Sequence, residues 1–136
     1  MIPEKITLEI VTPERRVLAR EVDEVILPGA EGSFGVLPGH APFLASLTPG
    51  VAECRVGSKS EYMAISSGFA EVLAGRVIVL AETCERADEI DDERARSKVS
   101  LYEKMLKEPQ PETDPEVIRL RLMKHLARLS ARKRAS

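Results

Sequence analysis

Apolar residues recur at every second position in short runs up to about residue 86, and at helical spacing beyond it. Ile6, Leu8 and Ile10 alternate with Thr7 and Glu9, the period of a strand with one buried face. Val77, Val79 and Ala81 alternate with Ile78 and Leu80, which are also apolar. A strand apolar on both parities is expected in the interior of a sheet. Further strands are predicted over Arg16–Arg20, Val22–Leu27, Val51–Val56, Glu61–Ser66 and Phe69–Leu73. Turn signals separate them: Pro28-Gly29, Pro38-Gly39, Pro49-Gly50, Gly57-Ser58 and Ala74-Gly75. Many short strands with frequent turns read as a β-sandwich or barrel.

Past residue 88 the period changes. Ala95, Val99, Tyr102 and Leu106 fall on one helical stripe, with Asp91 as N-cap and Asp92 and Glu93 in the first turn. The segment Glu108-Pro109-Gln110-Pro111-Glu112 ends this helix. Asp114 then offers a second N-cap, with Pro115 at the favoured first position. Ile118, Leu122, Leu126 and Leu129 make the next stripe. Two amphipathic helices joined by a short Pro-rich loop form an antiparallel hairpin. The predicted class is therefore α+β: an N-terminal β-sandwich over residues 1–86, then a helix–loop–helix over 87–136. Helices this short need a surface for their stripes, which makes the hairpin a candidate mobile element.

Charge sharpens this division. Pro115 to Ser136 hold seven Lys or Arg and one Glu, while residues 1–114 hold thirteen Lys or Arg against twenty-one Asp or Glu. The net of −2 thus hides a cationic tail on an acidic body, an asymmetry that concerns partners more than fold. Arg121, Lys124, Arg128 and Arg132 share one helical face. Such a face is either solvated, or docks on an acidic protein segment, nucleic acid or another anionic surface. Against nucleic acid, no aromatic is interleaved with these charges and the sandwich is acidic.

The rest narrows the classes. No apolar run reaches the length of a membrane span, and Met1-Ile2-Pro3-Glu4-Lys5 does not open a secretory signal. Cys54 and Cys84 fit no metal spacing and read as reduced, partly buried thiols. The glycines of Pro28-Gly29-Ala30-Glu31-Gly32-Ser33-Phe34-Gly35 match neither a phosphate loop nor a dinucleotide fingerprint, and the segment reads as a surface turn. His40 sits in a Pro/Gly-rich turn, and Ser66 and Ser67 lie in no nucleophile elbow, so an enzyme with His40 as base finds no support. Asp91 and Arg94 read as a cap with an i,i+3 pair.

Val11-Thr12-Pro13-Glu14, Gly32 through Pro42 (Gly-Ser-Phe-Gly-Val-Leu-Pro-Gly-His-Ala-Pro), Ser67 through Val72, and Val77 through Ala81 occur in that order. With an Asp-x-x-Arg-Ala box at Asp91 to Ala95, they make the chain resemble the epsilon subunit of bacterial F-type ATP synthase, over residues 5–107 and more loosely to the C-terminus. The resemblance implies the same sandwich-plus-hairpin fold and a non-catalytic subunit of the rotor's central stalk in a proton-translocating complex. That subunit grips gamma, stands on the c ring, and sits on the cytoplasmic face of the bacterial membrane. It also implies a hairpin that folds down on the sandwich or extends to meet an acidic segment of beta, beside alpha, and blocks ATP hydrolysis. The face of Arg121, Lys124, Arg128 and Arg132 is the candidate for that contact. Glu31, Gly32, Ser33 and His40 are candidates for the c ring.

By the same resemblance no cofactor is required and no metal is expected. Some members bind ATP between the helices as a regulatory ligand, and the corresponding positions are Glu85, Ile90, Asp91, Arg94, Ala95, Lys124 and Arg128. The chain departs from that pattern at Leu101 and Lys124, where those members carry Arg, and a missing cation weakens phosphate capture.

Overall fold

A computed structural model describes residues 3–136. Ten strands come first: β1 Ile6–Val11, β2 Arg16–Val22, β3 Glu24–Gly29, β4 Gly32–Val36, β5 Phe43–Leu47, β6 Gly50–Val56, β7 Lys59–Ile65, β8 Gly68–Leu73, β9 Arg76–Ala81 and β10 Cys84–Arg86. One 3-10 turn, Ala87–Glu89, leads to α1 Asp92–Lys107 and α2 Pro115–Ala135. The strand order is β10-β7-β6-β3-β5-β8-β9-β1-β2, with β4 on the other side of β3. The network folds over between β3 and β5, which share a single residue pair, Gly29 with Leu47. Two layers result: β10, β7, β6, β3 and β4 in one, and β5, β8, β9, β1 and β2 in the other. All pairings are antiparallel except β1 with β9.

The period-two residues fill the space between the layers. Ile6, Leu8, Ile10, Val22, Leu27, Val36, Val72, Val77 and Val79 are fully buried. Aliphatic side chains stiff at χ1 suit a pleated interior, so the near-absence of aromatics is no obstacle. Phe34 and Phe43 close one side edge-to-face, with centroids 5.2 Å apart. Cys54 and Cys84 are buried and free. They pair with Glu61 and Ile65 of β7, four residues apart on one strand and so roughly 13 Å distant, too far to bond.

The structure corrects several sequence expectations, among them the turn signal Pro28-Gly29, which lies inside strand β3. The segment Gly32–Val36, expected as a surface turn, is strand β4, paired with β3 from Gly29–Gly32 to Val25–Val36. Burying Val36 in the core outweighs the low strand propensity of its two glycines. Phe43–Leu47 and Cys84–Arg86 are strands that the period did not reveal. And β9 is interior to its sheet, yet Leu80 is 55% exposed, so the strand is covered on one face only.

Both helices begin at the predicted caps. Asp91 accepts the Arg94 backbone N–H at 3.0 Å, and Asp114 accepts that of Glu116 at 2.9 Å with Pro115 behind it. The Asp91–Arg94 pairing is thus a backbone cap rather than a side-chain ion pair; the first-turn ion pair is Asp92–Arg96 at 3.1 Å. Helix α1 packs on α2, and α2 lies over β6 and β7. Its seat differs from the predicted stripe. Ile118 is buried and Leu122 and Leu129 half-buried, but Leu126 is exposed, and the residues sealed against the sandwich are Ala127 and Ala131. Small side chains let a helix axis approach a sheet closely, so the seat is legible only once the sheet is present.

Gly68 marks the closest backbone approach, where an added Cβ would lie 2.1 Å from the Leu80 carbonyl oxygen. The three nearest atoms, from Leu80 and Ala81, are all backbone, so Gly68→Ala is expected to cost about 1–3 kcal/mol and lower the melting temperature measured by circular dichroism.

Candidate functional site

Two surfaces stand out. The first is a cleft of about 470 Å³ where the hairpin meets the β1–β2 turn and β10. Its walls include Arg15, Glu85, Asp91, Arg94, Ala95, His125 and Arg128. Five of the residues proposed for a nucleotide, Glu85, Asp91, Arg94, Ala95 and Arg128, are therefore brought together. Ile90 is not a cleft residue; it is 4% exposed and packs with Ala64, Ala127 and Ala131 beneath α2. Lys124 and Leu101 lie outside the walls.

Of the three arginines in the cleft, Arg128 and Arg15 are paired within the chain, and Arg94 forms no ion pair among the described residues. Arg128 Nε donates to Glu85 across 43 residues of sequence, and its Nη1 lies 3.1 Å from His125 Nδ1. Arg15 meets the Glu89 carboxylate at 2.9 Å. That hydrogen bond holds the Glu89 carboxyl below its ordinary value. The Arg86 backbone N–H binds Glu89 as well, at 3.1 Å. His125 stacks at 5.8 Å from the Tyr102 ring. Burial first, then the charges of Arg128, Lys98 and Arg94, pushes its imidazole down to about 4.

The cationic face of α2 is divided by its environment. Arg128 is engaged with Glu85, and Arg132 Nη1 donates to the Ala87 carbonyl at 3.2 Å. Arg121 is exposed and Lys124 half-buried, and among the described residues neither forms an ion pair. Glu31 lies in the exposed β3–β4 turn, and Gly32, with φ 127°, and Ser33 open strand β4 beside it, both exposed. His40 lies on the following loop, half-buried, its ring 5.0 Å from Phe43 and its Nδ1 2.7 Å from the Ala41 carbonyl. Ser66 is occupied structurally: it is 2% exposed and its hydroxyl accepts the Thr83 N–H at 2.7 Å. Burial pushes the Cys54 and Cys84 thiols up to about 11 and about 12, so neither supplies a thiolate near neutrality.

The second surface was missed by sequence reasoning. On the outer face of the β5-β8-β9 sheet, Leu44 is 71% exposed, Phe69 54% and Leu80 55%. Phe69 and Leu80 are directly opposed, as are Leu80 and Val11, so the apolar strip crosses three strands without a gap. Single exposed leucines are ordinary, whereas a contiguous strip on one sheet face marks an interaction site. The signal was present in Val77–Ala81: its second apolar parity faces outward, where no second layer of this chain covers it.

Known proteins match this arrangement. The family profile for the ATP synthase Delta/Epsilon chain, beta-sandwich domain, fits residues 5–87. An ATP synthase epsilon chain of Geotalea uraniireducens is 50% identical over 109 residues, which is 80% of this chain and 79% of that one. One from Desulforamulus reducens is 42% identical over 124 residues, covering 91% of this chain and 94% of the relative. Among solved structures, a chain of the Euglena gracilis mitochondrial ATP synthase (OSCP/F1/c-ring, rotational state 1) superposes with TM-score 0.84 at 27% identity. That match covers 96% of this chain and 82% of the other. A chain from the Tetrahymena thermophila central stalk and c ring shares the fold at 15% identity with TM-score 0.59, covering 99% and 98%.

His125 gives the helix pair a pH dependence. Besides burial, the charges that lower its value, Arg128, Lys98 and Arg94, all sit on α1 and α2, so the shift belongs to the packing of α2 on α1. A separated imidazole binds a proton below about 6.5 and the packed one does not until about 4, so that packing should be strongest above 6.5 and weaken as pH falls towards 4. An NMR titration of His125 checks this, and His125→Asn should flatten the loss of helix packing between pH 6.5 and 5.

Proposed function

The chain belongs to the ATP synthase delta/epsilon chain family, and on that premise we propose that it works as the epsilon subunit of a bacterial proton-translocating F-type ATP synthase. It is a non-catalytic part of the central stalk, a subunit of a membrane-bound complex. No helix among the described residues is long and apolar enough to cross a membrane. Its proposed place is the cytoplasmic face of the cell membrane, held there through its partners: gamma, the c ring, beta and alpha. The comparisons give no support to a nucleic-acid role.

The observation that carries the reading is the uncovered apolar strip of Leu44, Phe69, Leu80 and Val11. A rotor subunit must transmit torque through a contact that does not slip, and such contacts are built on desolvated apolar cores. In our reading residues 1–86 form the gripping unit, with this strip against gamma. Exposed Glu31, Gly32 and Ser33, at the β3–β4 turn and the start of β4, and the loop of His40 are the contacts proposed for the c ring.

Residues 87–136 form the regulatory unit. The hairpin is docked here, and docking engages Arg128 and Arg132 while leaving Arg121 and Lys124 available. Extension would free all four for an acidic segment of beta, where charges confined in a cleft are screened less than surface pairs. The subunit needs no cofactor in this scheme. ATP is the regulatory ligand its cleft would take, and the phosphates would have to displace Glu85 from Arg128.

Leu80→Glu is exposed in the free chain, so the subunit should fold normally yet fail to assemble with gamma; native assembly of a folded L80E chain would overturn the proposed grip. Neutralising Arg121 and Lys124, which leaves the docked pairs intact, should raise ATP hydrolysis by the assembled enzyme. Calorimetric titration with ATP should show weak binding that strengthens in Glu85→Gln.

A further inference from the structure

The last turn of α2 ends on a feature of the sheet that lies apart from the cleft. Glu53 on β6 and Tyr62 on β7 are directly opposed in the antiparallel register, so their side chains stand side by side on the outer face. Arg134 engages both. Its Nη2 donates to Glu53 Oε1 at 2.9 Å, and its Cζ lies 4.9 Å from the centre of the Tyr62 ring. One turn of helix earlier, Ala131 is fully buried against the sandwich, and Arg132 fills the Ala87 carbonyl.

We propose that Glu53 and Tyr62 form a guanidinium seat that latches the C-terminal end of α2 and sets how often the hairpin leaves the sandwich. The proposal rests on the reading of the hairpin as a mobile regulatory unit. The chemistry is selective. A carboxylate beside an aromatic face suits a planar guanidinium, which offers N–H groups along its edge and a flat surface to the ring. A lysine ammonium satisfies one of the two partners less well. The Glu53 side chain is 18% exposed, and among the described residues Arg134 is its only side-chain hydrogen-bond partner, so departure of the helix leaves the seat to water. The apolar part of the contact is small, made by Ala127 and Ala131 on Ala64 and Ile90 with Val51 and Tyr62 beside them. With so little hydrophobic area, one carboxylate and one ring weigh heavily in the balance. The seat also fixes register: Arg134 reaches Glu53 only when Ala131 is down on the sheet.

The test uses the full chain with spin labels at exposed Ser130 on α2 and Glu71 on the far sheet, and reads the docked and undocked distance populations. Arg134→Gln, Glu53→Gln and Tyr62→Leu should each raise the undocked fraction roughly threefold to tenfold, with the melting of the sandwich unchanged. Arg134→Lys should fall between, and Arg134→Gln combined with Glu53→Gln should add little to either alone. Unchanged populations in Arg134→Gln and Tyr62→Leu, or fully additive effects in the double variant, would overturn the latch. ATP hydrolysis by the assembled enzyme separates the two ideas. A shifted population with unaltered hydrolysis keeps the latch and rejects the regulatory reading on which it was placed.

Discussion

The hairpin rests on the sandwich through small side chains, and that choice governs how the molecule behaves. Ala127 and Ala131 meet Ala64 and Ile90, a contact that removes far less apolar surface than the aliphatic core between the two sheets. At about 25 cal/mol per Å² of apolar surface, a few methyl groups contribute on the order of 1 to 3 kcal/mol, whereas a single core isoleucine contributes a comparable amount by itself. A seat of that strength does not commit the chain. Its occupancy is decided by the polar contacts around it: Arg128 on Glu85, Arg132 on the Ala87 carbonyl and Arg134 on Glu53 and Tyr62.

These contacts give the acidic body and cationic tail a common purpose. The sandwich supplies Glu53 in the middle of β6 and Glu85 on β10, and the tail supplies the arginines that meet them. Pairs that are one-quarter to one-half exposed contribute little individually and are weakened by salt. A helix held by several of them in parallel is therefore stable on average and releasable as a unit. An alternative acidic surface of equal quality could exchange with the sandwich at small net cost.

The two outer faces of the sandwich are built to opposite rules. The β6–β7 face carries the helix and is closed by small and charged residues. The β5-β8-β9 face keeps Leu44, Phe69 and Leu80 in water, a cost that is offset only when another chain covers them. In the function proposed above, a gripping face on one side and a releasable helix on the other would separate torque from regulation. The hydrogen bonds between Ser66 and Thr83 and the close approach at Gly68 tie the chain together between these two faces.

Much of this was written in local order. The strand period of Ile6–Ile10 and Val77–Ala81, the caps at Asp91 and Asp114, and the stop at Pro109–Pro111 depend on neighbours a few residues away, so the sequence alone determined a strand-rich half and a helical hairpin. The resemblance in Gly32–Pro42 and Asp91–Ala95 carried the family. Strand β4 and the exposed parity of β9 were decided by tertiary structure, because whether a glycine-rich segment pairs, or an apolar row is covered, depends on what lies across the sheet. The same holds for the face α2 presents. Leucines dominate its sequence, but the sheet selects Ala127 and Ala131 because only small residues let the helix come close. Glu85 meets Arg128, and Glu53 meets Arg134, at separations of 43 and 81 residues. No local pattern encodes such pairs; they exist because the folded sheet brings distant carboxylates under one helix.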